Sequence, residues 1–186
     1  MVQRRFDPER RDRIIDAALD VIAEHGVAGA SHRKIAAQAD VPLGSMTYHF
    51  SGMEDLLHEA FTRFATAISA RFEARLLQAH TMEEAREAVV DLVHEDLNVS
   101  PRELVLTQEL YTLAARDPAY RAITHAWMRQ SRTSLARHFD PVTCRMLDAL
   151  IEGSFLHAAL DTEQHDRAVT AEAVTRITTP VSSRDH

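Results

Sequence analysis

Between residues 43 and 49 the chain concentrates side chains that hydrogen-bond and do not suit a core. Ser45 and Thr47 bring hydroxyls, Tyr48 a phenol and His49 an imidazole, all within about two turns of a helix. Groups of this kind meet phosphate oxygens and base edges. Gly44, near the start of the segment, leaves room for close approach of a backbone or a phosphate.

Such side chains act only if a scaffold exposes them. Ile35, Ala36, Ala39, Val41, Met46 and Phe50 give residues 31–50 a compact apolar side. Two short helices, Ser31 to about Ala39 and Leu43 to about His49, flank the tight turn Ala39-Asp40-Val41. Asp40 stands where the chain must reverse, and Asp tolerates left-handed backbone better than most residues. Two short helices at a steep angle around a brief turn form a helix-turn-helix, whose second helix fits the major groove of DNA. The competing reading of Tyr48 and His49 is a helix end packed on the next helix.

The rest of the 186 residues reads as helix. Gly is scarce, with 5 residues, and strand-like runs are absent, so an all-α chain is expected. Asp7-Pro8, Ser100-Pro101, Asp117-Pro118 and Asp140-Pro141 each place an N-cap side chain before Pro at the first helical position. Ser51…Glu54, Thr81…Glu84 and Ser100…Glu103 have capping-box spacing. The first helix is expected from Pro8 to about His25, with Ile14, Ile15, Ala18, Leu19 and Ile22 on its apolar face and Gly26 ending it. A long helix is expected from Ser51 to about Ala79, then helices near 82–97, 101–116, 118–138, 141–160 and 163–178. That makes about nine helices: a three-helix helix-turn-helix domain over 1–52, a larger helical bundle over 53–179 and a frayed tail over 180–186.

Formal net charge is −7, adverse to nucleic acid at first sight. The first fifty residues carry seven cationic and seven acidic side chains, so the whole excess lies downstream. A neutral segment with clustered arginines on an acidic body can still present a positive face. The single Cys, Cys144, forbids an internal disulfide and fits a reducing compartment. No run approaches the ~18 apolar residues that span a bilayer, and MVQRRFDPERR has no apolar signal-peptide core. The expected location is the cytoplasm, with no membrane partner.

Gly26, Ser31, Ile35-Ala36, Ala39-Asp40-Val41, Gly44-Ser45-Met46-Thr47-Tyr48-His49-Phe50 and Met53-Glu54-Asp55-Leu56 resemble the N-terminal part of the tetracycline-repressor (TetR) family. The resemblance implies that His32 and Arg33 touch phosphate and enter the groove. It places Leu43, Ser45, Thr47, Tyr48 and His49 on the recognition helix. Asp40 replaces the family's usual turn Gly. Met53 replaces the usual Lys, a phosphate contact whose loss lowers the salt slope by roughly one unit. Arg4, Arg5 and Arg10 of the N-terminal arm are expected to supply compensating charge.

The same resemblance implies a repressor that binds palindromic operator DNA as a homodimer and is released by a small-molecule effector. Its dimer interface would draw on the eighth and ninth helices: Leu147, Leu150, Ile151 and Phe155, then Val169, Ala173 and Ile177. Its effector pocket would lie among the fourth to eighth helices, with Phe64, His94, Gln108, Tyr111, Trp127, Met128 and Phe155 as candidates. Most of these also read as ordinary core. Two other readings stand beside this one, a DNA-binding dimer without effector and a small helical enzyme. The enzyme would need a nucleophile with a base, carboxylates paired in a cleft, or a metal. Glu83-Glu84 is better explained by the helix dipole. The eleven His include no H-x-x-x-H pair and Cys144 stands alone. No catalytic residue, metal or cofactor is expected.

Overall fold

A computed structural model describes residues 9–95, 101–163 and 166–179. Arg4, Arg5, the Asp7-Pro8 and Ser100 caps and the 180–186 tail lie outside the described residues. Among those described there are nine α-helices and no strand: α1 (Arg10–Gly29), α2 (His32–Gln38), α3 (Gly44–His49), α4 (Met53–Leu76), α5 (Met82–Glu95), α6 (Pro101–Ala114), α7 (Pro118–Leu135), α8 (Pro141–Leu160) and α9 (Arg167–Thr178). None of them is long and apolar enough to cross a membrane.

The helix boundaries follow from local chemistry. Gly26 breaks α1 with φ 67° and ψ 170°, and one further turn runs on to Gly29. A Cβ at Gly26 would meet only the movable carboxylate of Glu109 on α6, so it is the positive φ that favours glycine there. Thr81 and Glu84 form the reciprocal box at the start of α5. Thr81 Oγ1 accepts from Glu84 N–H at 3.2 Å, and the Glu84 carboxylate accepts from the N–H groups of His80 and Thr81 at 2.7 and 3.0 Å. Those two backbone donors hold the Glu84 carboxyl below its usual range. Asp140 caps α8 by accepting from Val142 and Thr143 N–H at 2.9 and 3.2 Å.

Two expectations need correction. Ser51 N–H donates to Asp55 at 2.9 Å, not to Glu54. Because α4 begins only at Met53, the carboxylate that reaches back is one residue further along. The last helix starts at Arg167 rather than near 163. Asp161 captures the N–H groups of Thr162 and Glu163, which holds that stretch out of the helix, and Asp166 caps α9 instead by accepting from Ala168 N–H.

The chain divides into two compact units, and the division does not fall at residue 52. The first holds the described residues of 1–66 and 100–124, the second those of 67–99 and 125–186. Residues of α4 and α7 fall in both. The physical reason is α6, which packs on α1 and so joins the N-terminal unit.

In the first unit Ile14, Ile15, Ile22, Ile35, Met46, Leu56, Phe61, Leu106 and Leu110 are fully buried. Each such side chain contributes about 1.5–3 kcal/mol relative to exposure. Around them Arg63 pairs with Asp12 and Asp16, Arg11 with Glu59 and Arg102 with Asp20, tying α4 and α6 to α1. These pairs are largely solvated, so each adds no more than about 1 kcal/mol.

The core of the second unit includes Phe72, Leu76, Ala85, Val89, Leu135, Phe139, Leu147 and Val174. Beside it α5 and α9 are stitched by polar pairs. Arg167 meets Glu87 and Asp91, His94 Nε2 lies 2.9 Å from Thr170 Oγ1, and Arg86 Nε donates to Thr178 Oγ1 at 2.7 Å. Cys144 is buried in this core, and burial pushes its thiol pKa up, which disfavours the thiolate.

Candidate nucleic-acid interface

The turn between α2 and α3 is closed by backbone bonds. Ser31 Oγ caps α2 by accepting from Lys34 N–H at 3.3 Å. Asp40 takes φ 51°, the left-handed value its position requires. Val41 N–H then donates to Ala36 carbonyl oxygen at 3.0 Å, which reverses the chain and lets α3 start. Beneath α3, Met46 and Phe50 are buried with Ile35 and Ala36 of α2. Arg11 adds an anchor that the sequence reading missed: its guanidinium lies 5.2 Å from the Phe50 ring centroid while pairing with Glu59.

The other side of α3 is open. Tyr48 is 81% exposed and Leu43 51%. Thr47 is exposed and His49 half-buried, its ring set edge-on to Tyr48 at 4.8 Å. The packed helix-end reading therefore fails for Tyr48, while His49 is partly covered. Ser45 departs from expectation. It is buried, because in a helix of six residues the inward arc takes Ser45 together with Met46. Val41 is only half-buried.

On α2, Arg33 is exposed and bonds to no other described residue. His32 is half-buried, and its Nε2 is buried without a partner among the described residues. Lys34 donates from Nζ to Gly29 carbonyl oxygen at 3.0 Å, closing the end of α1. Arg10, the first residue of α1, is half-buried, as is Met53.

The residues picked for an effector pocket are divided between the units. Phe64 is buried, and Gln108 and Tyr111 half-buried, in the first. In the second, Trp127 and Phe155 are half-buried, Met128 is exposed, and His94 sits on the α5–α9 seam. A cleft of about 730 Å³ in the second unit is lined instead by residues of α4 and α5, among them Arg71, Arg75, Glu84, Glu87 and Asp91. The signal for it was the four-residue step of the arginines and the three- and four-residue steps of the acids. The three carboxylates are already engaged, Glu84 by backbone N–H groups, Glu87 by Arg167, and Asp91 by Arg75 and Arg167. Among the described residues no His, Cys, Asp or Glu group could hold a metal ion.

The interface residues also need sorting. Leu147 is fully buried in the core of its own unit, so it has no surface to offer a partner. Leu150, Ile151 and Ile177 are half-buried against that core, and Phe155 and Ala173 are half-buried. The side of α8 left bare carries Val142, Met146, Leu156 and Leu160, and α9 adds the exposed Val169.

Residues 14–60 match the family model of bacterial regulatory proteins, tetR family, and residues 80–180 match that of the tetracyclin repressor-like C-terminal domain. The chain belongs to the tetR family. Members are DNA-binding transcriptional regulators, and this chain is one of them. A crystal structure from Streptomyces coelicolor A3(2), described as a transcriptional regulator, is 63% identical, with a TM-score of 0.88 over 93% of this chain and all of the other. The multidrug binding protein EbrR in complex with imidazole is 38% identical, with a TM-score of 0.79 over 98% of this chain and 96% of that one. EbrR has also been solved with ethidium, proflavin and malachite green. The HTH-type transcriptional regulator SrpR of Pseudomonas putida is 31% identical over 102 residues, which is 55% of this chain and 48%, about half, of SrpR.

Proposed function

We propose that this TetR regulator is a repressor that holds palindromic operator DNA as a homodimer and releases it when a small molecule binds. The observation that carries the reading is the two-sided α3, with Met46 sealed beneath it and Tyr48 and Leu43 bare above it. A helix this short reads too few bases alone, so two copies on successive half-sites are needed. Arg33, Tyr48 and His49 would make the polar contacts, with Arg10, Arg4 and Arg5 adding charge toward phosphate.

The dimer reading is supported by the bare stripe of α8. Val142, Met146, Ala149, Gly153, Leu156 and Leu160 follow one another at three- and four-residue steps. Among the described residues, nothing outside the helix's own backbone lies within 4 Å of a Cβ placed on Gly153, so their packing does not account for that glycine. A second α8 approaching along the stripe would do so.

The effector class supported best is a planar organic cation. Ethidium, proflavin and malachite green are among the molecules bound by EbrR, which is 36–39% identical in those complexes. An acidic chain attracts cations, and an aromatic face such as that of Trp127 would stabilise them. Trp127 is the single Trp, which makes the test clean. Malachite green titrated without DNA should quench Trp127 fluorescence to saturation, and should then release a duplex that the protein selects from a random pool. Absence of quenching would leave a DNA-binding dimer without this effector. Failure to retain any duplex at low ionic strength would remove the operator reading itself.

A further inference from the structure

The bare side of α3 is poor in hydrogen-bond donors for a surface meant to read bases. Leu43 leads it and has no polar side-chain atom. Thr47 Oγ1 donates to Gly44 carbonyl oxygen at 3.3 Å, which commits its proton and leaves a methyl group and lone pairs. The Ser45 hydroxyl belongs to a buried residue. Gly44, between them, has open space within 4 Å of where a Cβ would be.

Leu43 gains its own helix nothing by being apolar. Its backbone is already helical, with φ −52° and ψ −36°, and the N–H groups of Ser45 and Met46 are taken by the carbonyl oxygens of Pro42 and Leu43 at 2.8 and 3.1 Å. The side chain is 51% exposed and presents apolar surface to water. Leu43 and Thr47 are four residues apart, and the backbone of Leu43 is already helical, so the two are neighbours on one face.

In the major groove thymine differs from the other bases by its C5 methyl group, and apolar side chains read it by contact. We infer that Leu43, with Thr47 beside it, selects thymine in the half-site through that methyl group, while Arg33, Tyr48 and His49 supply the polar contacts. This inference rests on the operator-binding reading and deepens it. The half-site contains at least one thymine whose value to the protein lies in its methyl rather than in its hydrogen-bonding edge.

The test uses the full chain and a duplex that it retains from a random pool. Each thymine of the half-site is replaced in turn by deoxyuridine, which lacks only the methyl group. Affinity should fall about fourfold at the position under Leu43, the equivalent of one buried methyl group. Leu43→Ala should bind the thymine and deoxyuridine duplexes equally. Leu43→Ser, which removes an exposed apolar side chain that no core depends on, should do the same without loss of thermal stability. The inference is overturned if every deoxyuridine duplex binds like its parent, if discrimination persists in Leu43→Ala, or if the retained half-site lacks thymine. Retention of no duplex at all is a separate result and would take the operator reading with it.

Discussion

Along the seam between α5 and α9, polar side chains find one another: Arg167 with Glu87 and Asp91, Thr170 with His94, Thr178 with Arg86. On the bare side of α3 no polar side chain bonds to another helix among the described residues. Tyr48 stands in water, Arg33 on the adjoining α2 bonds to no described residue, and Leu43 exposes apolar surface at the start of the helix. Both are charged or polar stretches of ordinary helix, and composition does not distinguish them. What does is whether the chain satisfies its own groups. A seam that is satisfied internally holds two helices together; a face left unsatisfied on a rigid base is available to something else.

The contrast can be broken at three levels. The largest effect should come from the base of α3. Met46→Ala removes a fully buried side chain and should cost about 2–5 kcal/mol, lowering thermal stability and DNA binding together. Next come the bare side chains. Tyr48→Ala or Arg33→Ala should weaken retention of the selected duplex by about 1–3 kcal/mol each if the side chain meets a base edge, with melting temperature nearly unchanged. A large drop in melting temperature for Tyr48→Ala would place that ring in a core after all. The smallest effect belongs to the seam. Arg167→Ala breaks two solvated ion pairs and should leave the melting temperature nearly unchanged and duplex affinity as it was.

Much of this was legible in local residue choices. Gly26 and Asp40 mark places where φ must turn positive, Thr81–Glu84 and Asp140 announce helix starts, and Ile35 with Met46 marks the inward side of the helix-turn-helix. These are short-range effects, decided within a few residues. The side of α8 that faces its own core was not legible. Val142, Met146, Leu147, Leu150, Ile151, Leu156 and Leu160 make that helix apolar on most sides, so periodicity cannot choose between them. Leu147 was assigned to an interface and is buried. His94 was assigned to a pocket and sits against Thr170, seventy-six positions away. The burial of Ser45 escaped notice because a six-residue helix leaves little room for a polar residue to avoid the inward arc.

The account depends on two copies of α3 working together on one duplex. The most direct measurement is the mass of the complex with a selected palindromic duplex, repeated on duplexes whose half-sites are moved apart by about five or about ten base pairs. Two chains per duplex are predicted, with affinity lost at a shift of about half a helical turn and regained in part at a full turn. One chain per duplex, or affinity indifferent to the spacing, would contradict it.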